Sequence, residues 1–114
     1  MLAKESRLTE KKDFEVVQEK GRMYQSVNFG IAFLKRGDDN PSRFAFVVST
    51  KISKDAADRN RYRRALSEAV RTSSIDLNRG FDVIFLAKTS IIRVSTAEVM
   101  KEVKVALRES GLYK

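Results

Sequence analysis

Between positions 27 and 33 large apolar side chains (Val27, Phe29, Ile31, Phe33) alternate with small or polar ones (Asn28, Gly30, Ala32). This is the two-residue period of an extended chain with one buried face, and it commits the fold to a sheet. Phe44, Phe46 and Val48 repeat the period, with Ala45 and Val47 pointing the other way. Gly37, Asp38, Asp39, Asn40 and Pro41 lie between the two runs and read as a turn. The two strands are therefore expected to pair as an antiparallel hairpin. Adjacent aspartates beside Asn40-Pro41 fit a solvated loop better than a metal site.

The other elements follow closely. A helix is expected over residues 10–20, capped by Thr9, with Glu10 and Asp13 at the positive end of its dipole and Gly21 at its stop. Phe14 and Val17 give it a narrow apolar face that Val16 could widen. Residues 22–24 suit a short edge strand. A second helix spans 55–73, and Asn78, Arg79 and Gly80 mark a loop. Residues 82–88 read as a strand apolar on both faces, hence central in its sheet. Ser95 and Glu98 have the capping-box spacing, and Val99, Met100, Val103, Ala106 and Leu107 form one stripe of a last helix ending at Gly111.

The expected order is α-β-β-β-α-β-α, an α/β (α+β) two-layer sandwich with helices mainly on one face of one sheet. The 114 residues suit a single domain over 1–114. With no cysteine and no histidine, disulfides, thiol nucleophiles, histidine bases and the usual zinc ligands are excluded. The first seven residues carry Lys4, Glu5 and Arg7 and do not read as a signal peptide. The longest apolar stretch, residues 83–87, is too short to cross a bilayer. A cytoplasmic protein with no membrane partner is expected.

Twenty-three lysines and arginines against 15 acidic residues give a net charge of +8, which calls for a polyanionic partner or surface. The excess is concentrated in Asp58-Arg59-Asn60-Arg61-Tyr62-Arg63-Arg64. On a helix of about 100° per residue, Tyr62, Ala65, Leu66, Ala69 and Val70 face the sheet. Asn60, Arg63, Arg64, Ser67 and Arg71 face away, Arg61 flanks them, and Arg59 reaches past the helix start. Lys51, Lys54 and these arginines meet only Asp55, Asp58 and Glu68, so the expected local ion pairs are Arg64 with Glu68 and Arg59 with Asp55. Asp55 and Asp58 lie at the helix start, where capping and dipole roles explain them better than metal binding. Guanidinium groups bind phosphate through paired hydrogen bonds, and Asn60 adds a donor and an acceptor. DNA is the poorer target, because a groove-reading helix usually belongs to a compact helical domain. Shape-reading of RNA fits a helix mounted on a sheet.

Val48-Ser49-Thr50-Lys51-Ile52-Ser53, followed by Arg59-Asn60-Arg61-Tyr62-Arg63-Arg64, resembles the bacterial ribonuclease P protein component, a family marked by an R-N-R-x-[KR]-R helix. Arg7-Leu8, Asp13-Phe14, Gly21, the strand at 82–87 with Lys88, and Leu112-Tyr113-Lys114 extend the likeness over nearly the whole chain. The resemblance implies a ribosomal protein S5 domain 2-like fold with a left-handed βαβ crossover, against the usual rule. It also implies a protein subunit that joins a catalytic RNA, which with bound magnesium removes the 5′ leader of precursor tRNA. No cofactor bound by the protein and no catalytic side chain is implied. RNA contact falls to Lys51, Arg59, Asn60, Arg61, Arg63, Arg64 and Arg71, and a leader cleft to Phe14, Val17, Phe33 and Tyr113. The chain departs from the family pattern at Gln18, Ala32, Thr50 and Ser67, and Ile52 lies one residue further from Arg59. A structural RNA-binding protein, such as a ribosomal or assembly factor, is the alternative. A protein-only nuclease would need converging carboxylates that the sequence does not offer.

Overall fold

A computed structural model describes residues 2–114. Helix α1 (Lys11–Lys20) leads into strands β1 (Arg22–Gln25), β2 (Phe29–Lys35) and β3 (Arg43–Val47). Helix α2 (Ala56–Ser73), strand β4 (Phe81–Ala87) and helix α3 (Thr96–Glu109) complete the chain. Single 3-10 turns sit at Lys4–Ser6, Ser74–Asp76 and Thr89–Arg93.

The four strands lie in the order β1-β2-β4-β3. The expected β2–β3 hairpin does not form. β4 inserts between the two, antiparallel to β2 and parallel to β3. The tight hairpin is β1 with β2, where Tyr24 faces Ile31. A strand apolar on both faces belongs at the centre of a sheet, where both faces are covered, and β4 takes that place by separating β2 from β3. Residues 36–42 are the crossing that this requires. The Arg36 amide donates to the Gly80 carbonyl (2.7 Å) and the Gly80 amide to the Asn40 carbonyl (2.9 Å), so the loop is bonded across the start of β4. Gly80 has φ +83°, and a Cβ there would lie 2.4 Å from the Asp38 carbonyl oxygen, so the crossing needs glycine.

Beneath the loop, Asp82 is buried and accepts from Arg36 Nη1 (2.6 Å), Arg43 Nε (2.8 Å) and Arg43 Nη2 (2.7 Å). Arg36 also donates to the Phe81 and Pro41 carbonyls, and Arg43 reaches Asp13 of α1 at 3.3 Å. One carboxylate thus ties together the loop, β3, β4 and, through Arg43, α1. Each buried charge has an opposite partner, as its desolvation requires.

Alternation along the strands supplies two cores. Phe29 and Ile31 of β2, Phe44 of β3, and Val83 and Phe85 of β4 meet Leu66 and Val70 of α2 and Val99, Val103 and Leu107 of α3. On the opposite face, Ala32 and Ile84 meet Val17 of α1 and Leu8. Two of the three helices therefore share one face, and α1 covers part of the other. Gly30 and Ala32, which would be solvent-facing if β2 had only one apolar face, are buried with the large residues. Val27 lies outside β2 and is 78% exposed.

The helix ends refine the expectations. Glu10, not Thr9, occupies the N-cap of α1, and its side chain makes no capping bond. Gly21 ends α1 with φ −72°, so it is not there for a left-handed turn. A Cβ on it would lie 2.4 Å from the Val17 carbonyl oxygen and 2.9 Å from that of Phe33, so glycine allows α1 to approach β2. Asp55 caps α2 by accepting from the Ala57 amide at 2.9 Å, and Ser95 caps α3 by accepting from the Glu98 amide at 3.2 Å.

Candidate nucleic-acid interface

Helix α2 is fixed by its buried stripe of Tyr62, Ala65, Leu66, Ala69, Val70 and Ser73. The Tyr62 hydroxyl lies 3.2 Å from the Ile92 carbonyl oxygen and 3.0 Å from that of Val94. Those carbonyls belong to the segment between β4 and α3, so the first turns of α2 are bolted to the sheet's end. The opposite stripe carries the arginines.

Their partners differ from the pairs expected. Glu68 accepts two hydrogen bonds, from Nε and Nη2 on one edge of the Arg71 guanidinium, rather than pairing with Arg64, and these bonds hold the Glu68 carboxyl below its usual range. Asp55 caps the helix, and Arg59 reaches back past the helix start to donate to the Ser53 carbonyl at 2.9 Å. Arg61 lies 3.4 Å from Asp58 and packs over the Tyr62 ring at 5.0 Å. Arg63 donates to Asn60 Oδ1 at 2.6 Å. Among the described residues Arg59, Arg63 and Arg64 have no carboxylate within 4.0 Å, and Arg64 is exposed without any hydrogen-bond partner. Lys51 is exposed in the turn before the helix. The two solvent-exposed pairs, Arg61–Asp58 and Arg71–Glu68, are weakened by solvent screening, so a phosphate can displace either carboxylate.

Half-buried Arg63 and exposed Arg64 border a groove of about 780 Å³ that opens along the β3 side of α2. Its floor is apolar, formed by Leu2, Leu8, Phe44 and Phe46, and its rim carries Arg7, Asn60, Arg63 and Arg64. Helical periodicity gives no sign of it, because the N-terminal segment that forms one wall has no period of its own. A β-bridge between Arg7 and Phe44 holds that segment to β3.

The four expected cleft residues are not brought together. Phe14 and Val17 pack on the α1 face of the sheet, Val17 fully buried. Phe33 and Tyr113 belong to the α2–α3 side. Phe33 stacks with Phe81 at 6.5 Å between centroids, while Tyr113 bonds Ser73 Oγ at 3.1 Å and carries the Arg108 guanidinium 5.7 Å from its ring centre. Strand alternation separates them, since Phe33 and Ala32 point to opposite faces. What lies beside half-buried Phe14 instead is a strip of partly exposed Leu34, Ala45, Val47 and Leu86. Ala45 also lines the groove, so strip and groove join over β3.

Among the described residues no three acidic groups gather into a metal-binding set, and no helix is long and apolar enough to cross a membrane. A mixed sheet, a cationic helix rooted in its core and an apolar groove with a cationic rim define a basic α/β protein built to meet a polyanion.

Comparison with known proteins places it within that class. Residues 2–111 match the family model described as Ribonuclease P, and the chain belongs to that family. It is 34% identical over 112 residues to the ribonuclease P protein component of Oleidesulfovibrio alaskensis, covering 96% of this chain and 89% of that protein. The RNase P protein of Staphylococcus aureus shares its fold with a TM-score of 0.88 at 19% identity, over 96% of this chain and 98% of that one. The RNase P protein of Thermotoga maritima aligns with a TM-score of 0.77 at 27% identity, over 90% and 96% of the two chains. The chain is thus a ribonuclease P protein component, part of an endoribonuclease complex.

Proposed function

We propose that this single-domain protein acts in the cytoplasm by docking on the catalytic RNA of ribonuclease P and holding the single-stranded 5′ leader of precursor tRNA. The observation that carries the reading is the set of guanidiniums without carboxylates, Arg59, Arg63 and Arg64, beside a groove with an apolar floor. Lys51, Asn60, Arg61 and Arg71 extend the surface that meets RNA phosphates and sugars. The chain binds and orients, and the RNA performs the hydrolysis. Magnesium held by that RNA supplies the stabilisation of developing charge.

For the leader, the strip beside Phe14 is the better path than the four-residue cleft implied by the resemblance. Phe14 offers an aromatic face for a base, and Ala45, Val47 and Leu86 offer apolar surface next to it. Gln18 and Ala32 stand where the family often has aromatics, so stacking here falls mainly to Phe14.

Replacing Arg63 and Arg64 together with alanine tests the reading. The slope of log affinity against log salt for ribonuclease P RNA should become shallower by about one per lost phosphate contact. Precursor-tRNA cleavage by the reconstituted complex at low magnesium should fall in parallel. An unchanged slope with unchanged cleavage would remove the arginine helix from the interface. Recovery of ribosomal RNA rather than ribonuclease P RNA with the purified protein would favour a structural RNA-binding role.

A further inference from the structure

Helix α3 carries its own cationic ridge. Lys101, Lys104 and Arg108 are exposed and follow one another at spacings of three and four, so they share one edge of the helix over about 10.5 Å. Of the acidic residues of α3, Glu98 lies three residues before Lys101 without forming an ion pair with it, and the other two lie on a different edge and are already engaged. Glu102 accepts from the Asn28 amide (3.0 Å), from Asn28 Nδ2 (2.6 Å) and from the Ser26 hydroxyl. Glu109 accepts from the Tyr24 hydroxyl at 2.5 Å. The helix thus turns Glu102 and Glu109 toward β1 and the following turn and its cations away from them. Among the described residues no carboxylate lies within 4.0 Å of Lys101, Lys104 or Arg108, as the ion pairs of α1, α2 and the β3–β4 region account for other cations.

The arrangement costs stability. Lys101 with Lys104 and Lys104 with Arg108 are like-charge neighbours, and each such pair is mildly destabilising. A glutamate at position 104 would convert both into attractive pairs. Arg108 is moreover held in place, its guanidinium 5.7 Å from the ring centre of Tyr113, whose hydroxyl is bonded to Ser73 of α2. A side chain held by an aromatic face loses less freedom on binding than a free one.

We infer that Lys101, Lys104 and Arg108 form a second phosphate-binding ridge for RNA, separate from the arginines of α2. The inference rests on the reading of the partner as RNA. Charge complementarity selects the occupant: a row of cations without counterions on one helix edge suits a nucleic-acid backbone. The α2 arginines Arg63 and Arg64 line the groove on the β3 side. α3 contributes nothing to that groove, so a protein engaged there leaves the second ridge free for another RNA segment.

The full-length protein should be titrated with ribonuclease P RNA across a salt series. Three variants are needed: Lys101→Ala/Lys104→Ala/Arg108→Ala, Lys104→Glu, and Arg63→Ala/Arg64→Ala. The α3 triple variant should make the salt slope shallower by about 2 to 3. Lys104→Glu should keep or raise the unfolding temperature while weakening RNA binding, which separates binding from folding. An α3 triple variant with the parental slope, while Arg63→Ala/Arg64→Ala is shallower, overturns the second ridge and leaves the α2 interface intact. Unchanged binding by Arg63→Ala/Arg64→Ala with a loss in the α3 triple variant would sink the α2 interface and keep the ridge. A triple variant that retains RNA binding but releases vesicles containing phosphatidylglycerol would assign the ridge to a lipid surface and overturn the inference.

Discussion

Asp82 shows how one side chain decides local architecture. Its carboxylate is buried at the start of a central strand and receives three guanidinium hydrogen bonds. Replacing it with alanine would leave Arg36 and Arg43 partly buried without their common partner. A loss of about 3 kcal/mol is expected, the low end for breaking a buried pair, because Arg36 keeps Asp38 and Arg43 keeps Asp13. Urea denaturation of Asp82→Ala measures it, and a loss below about 1 kcal/mol would reduce the network to a surface ion pair. Asp38 sets a pH signature in the same network. Hydrogen bonds from Arg36 hold its carboxyl below the usual range, against a smaller opposing effect of desolvation. A depressed folded-state pKa means that the stabilisation is complete above the unfolded-state pKa and is lost as pH falls through the folded one. Unfolding temperatures measured from neutral pH down to about pH 2 should therefore drop less steeply for Asp38→Asn than for the parent below about pH 4. Identical acid limbs would remove Asp38 from that linkage.

At the scale of elements, helices were easier to read than strand partners. The stripe of Tyr62, Leu66, Ala69 and Val70 fixes which side of α2 is buried, because a helix needs only its own period to orient itself. The caps are equally local. Asp55→Ala should destabilise by about 1 kcal/mol, read as a lower urea midpoint with an unchanged m-value. Pairing between β2 and β3 was not legible, since two alternating runs across a polar loop look alike whether or not another strand enters between them. The sign lay further along the chain, in a run of Val83, Ile84 and Phe85 that is apolar on both faces. The four residues assigned to a leader cleft fall on two faces for a related reason: a resemblance carries residue types, while strand parity decides the face of Phe33. The arginine helix was visible as a cationic ridge, but the groove beside it was not, because Leu2 and Leu8 come from a segment without regular structure. Ion-pair choice within α2 was also beyond the pattern. Glu68 has Arg64 four residues before it and Arg71 three after it, and only side-chain geometry selects Arg71.

For the molecule as a whole, the late arrival of β4 sets the order of events. The strand inserted between β2 and β3 comes from the last third of the chain, and the floor under α2 includes Val83 and Phe85. A fragment ending at residue 78 lacks that floor, and β2 and β3 would then each lack the neighbour that separates them. It should show no cooperative unfolding transition and no saturable binding of ribonuclease P RNA, measured by thermal melting and by titration. A cooperative, RNA-binding fragment would show that β4 is dispensable for mounting α2. On the ribosome the same geometry acts as a delay. The arginines emerge early, yet the platform that aligns them is finished only after the final strand leaves the exit tunnel. A nascent chain therefore presents polyanions with a loose basic segment first and an ordered docking face only once β4 has followed it, which holds back productive assembly with RNA until that strand has emerged.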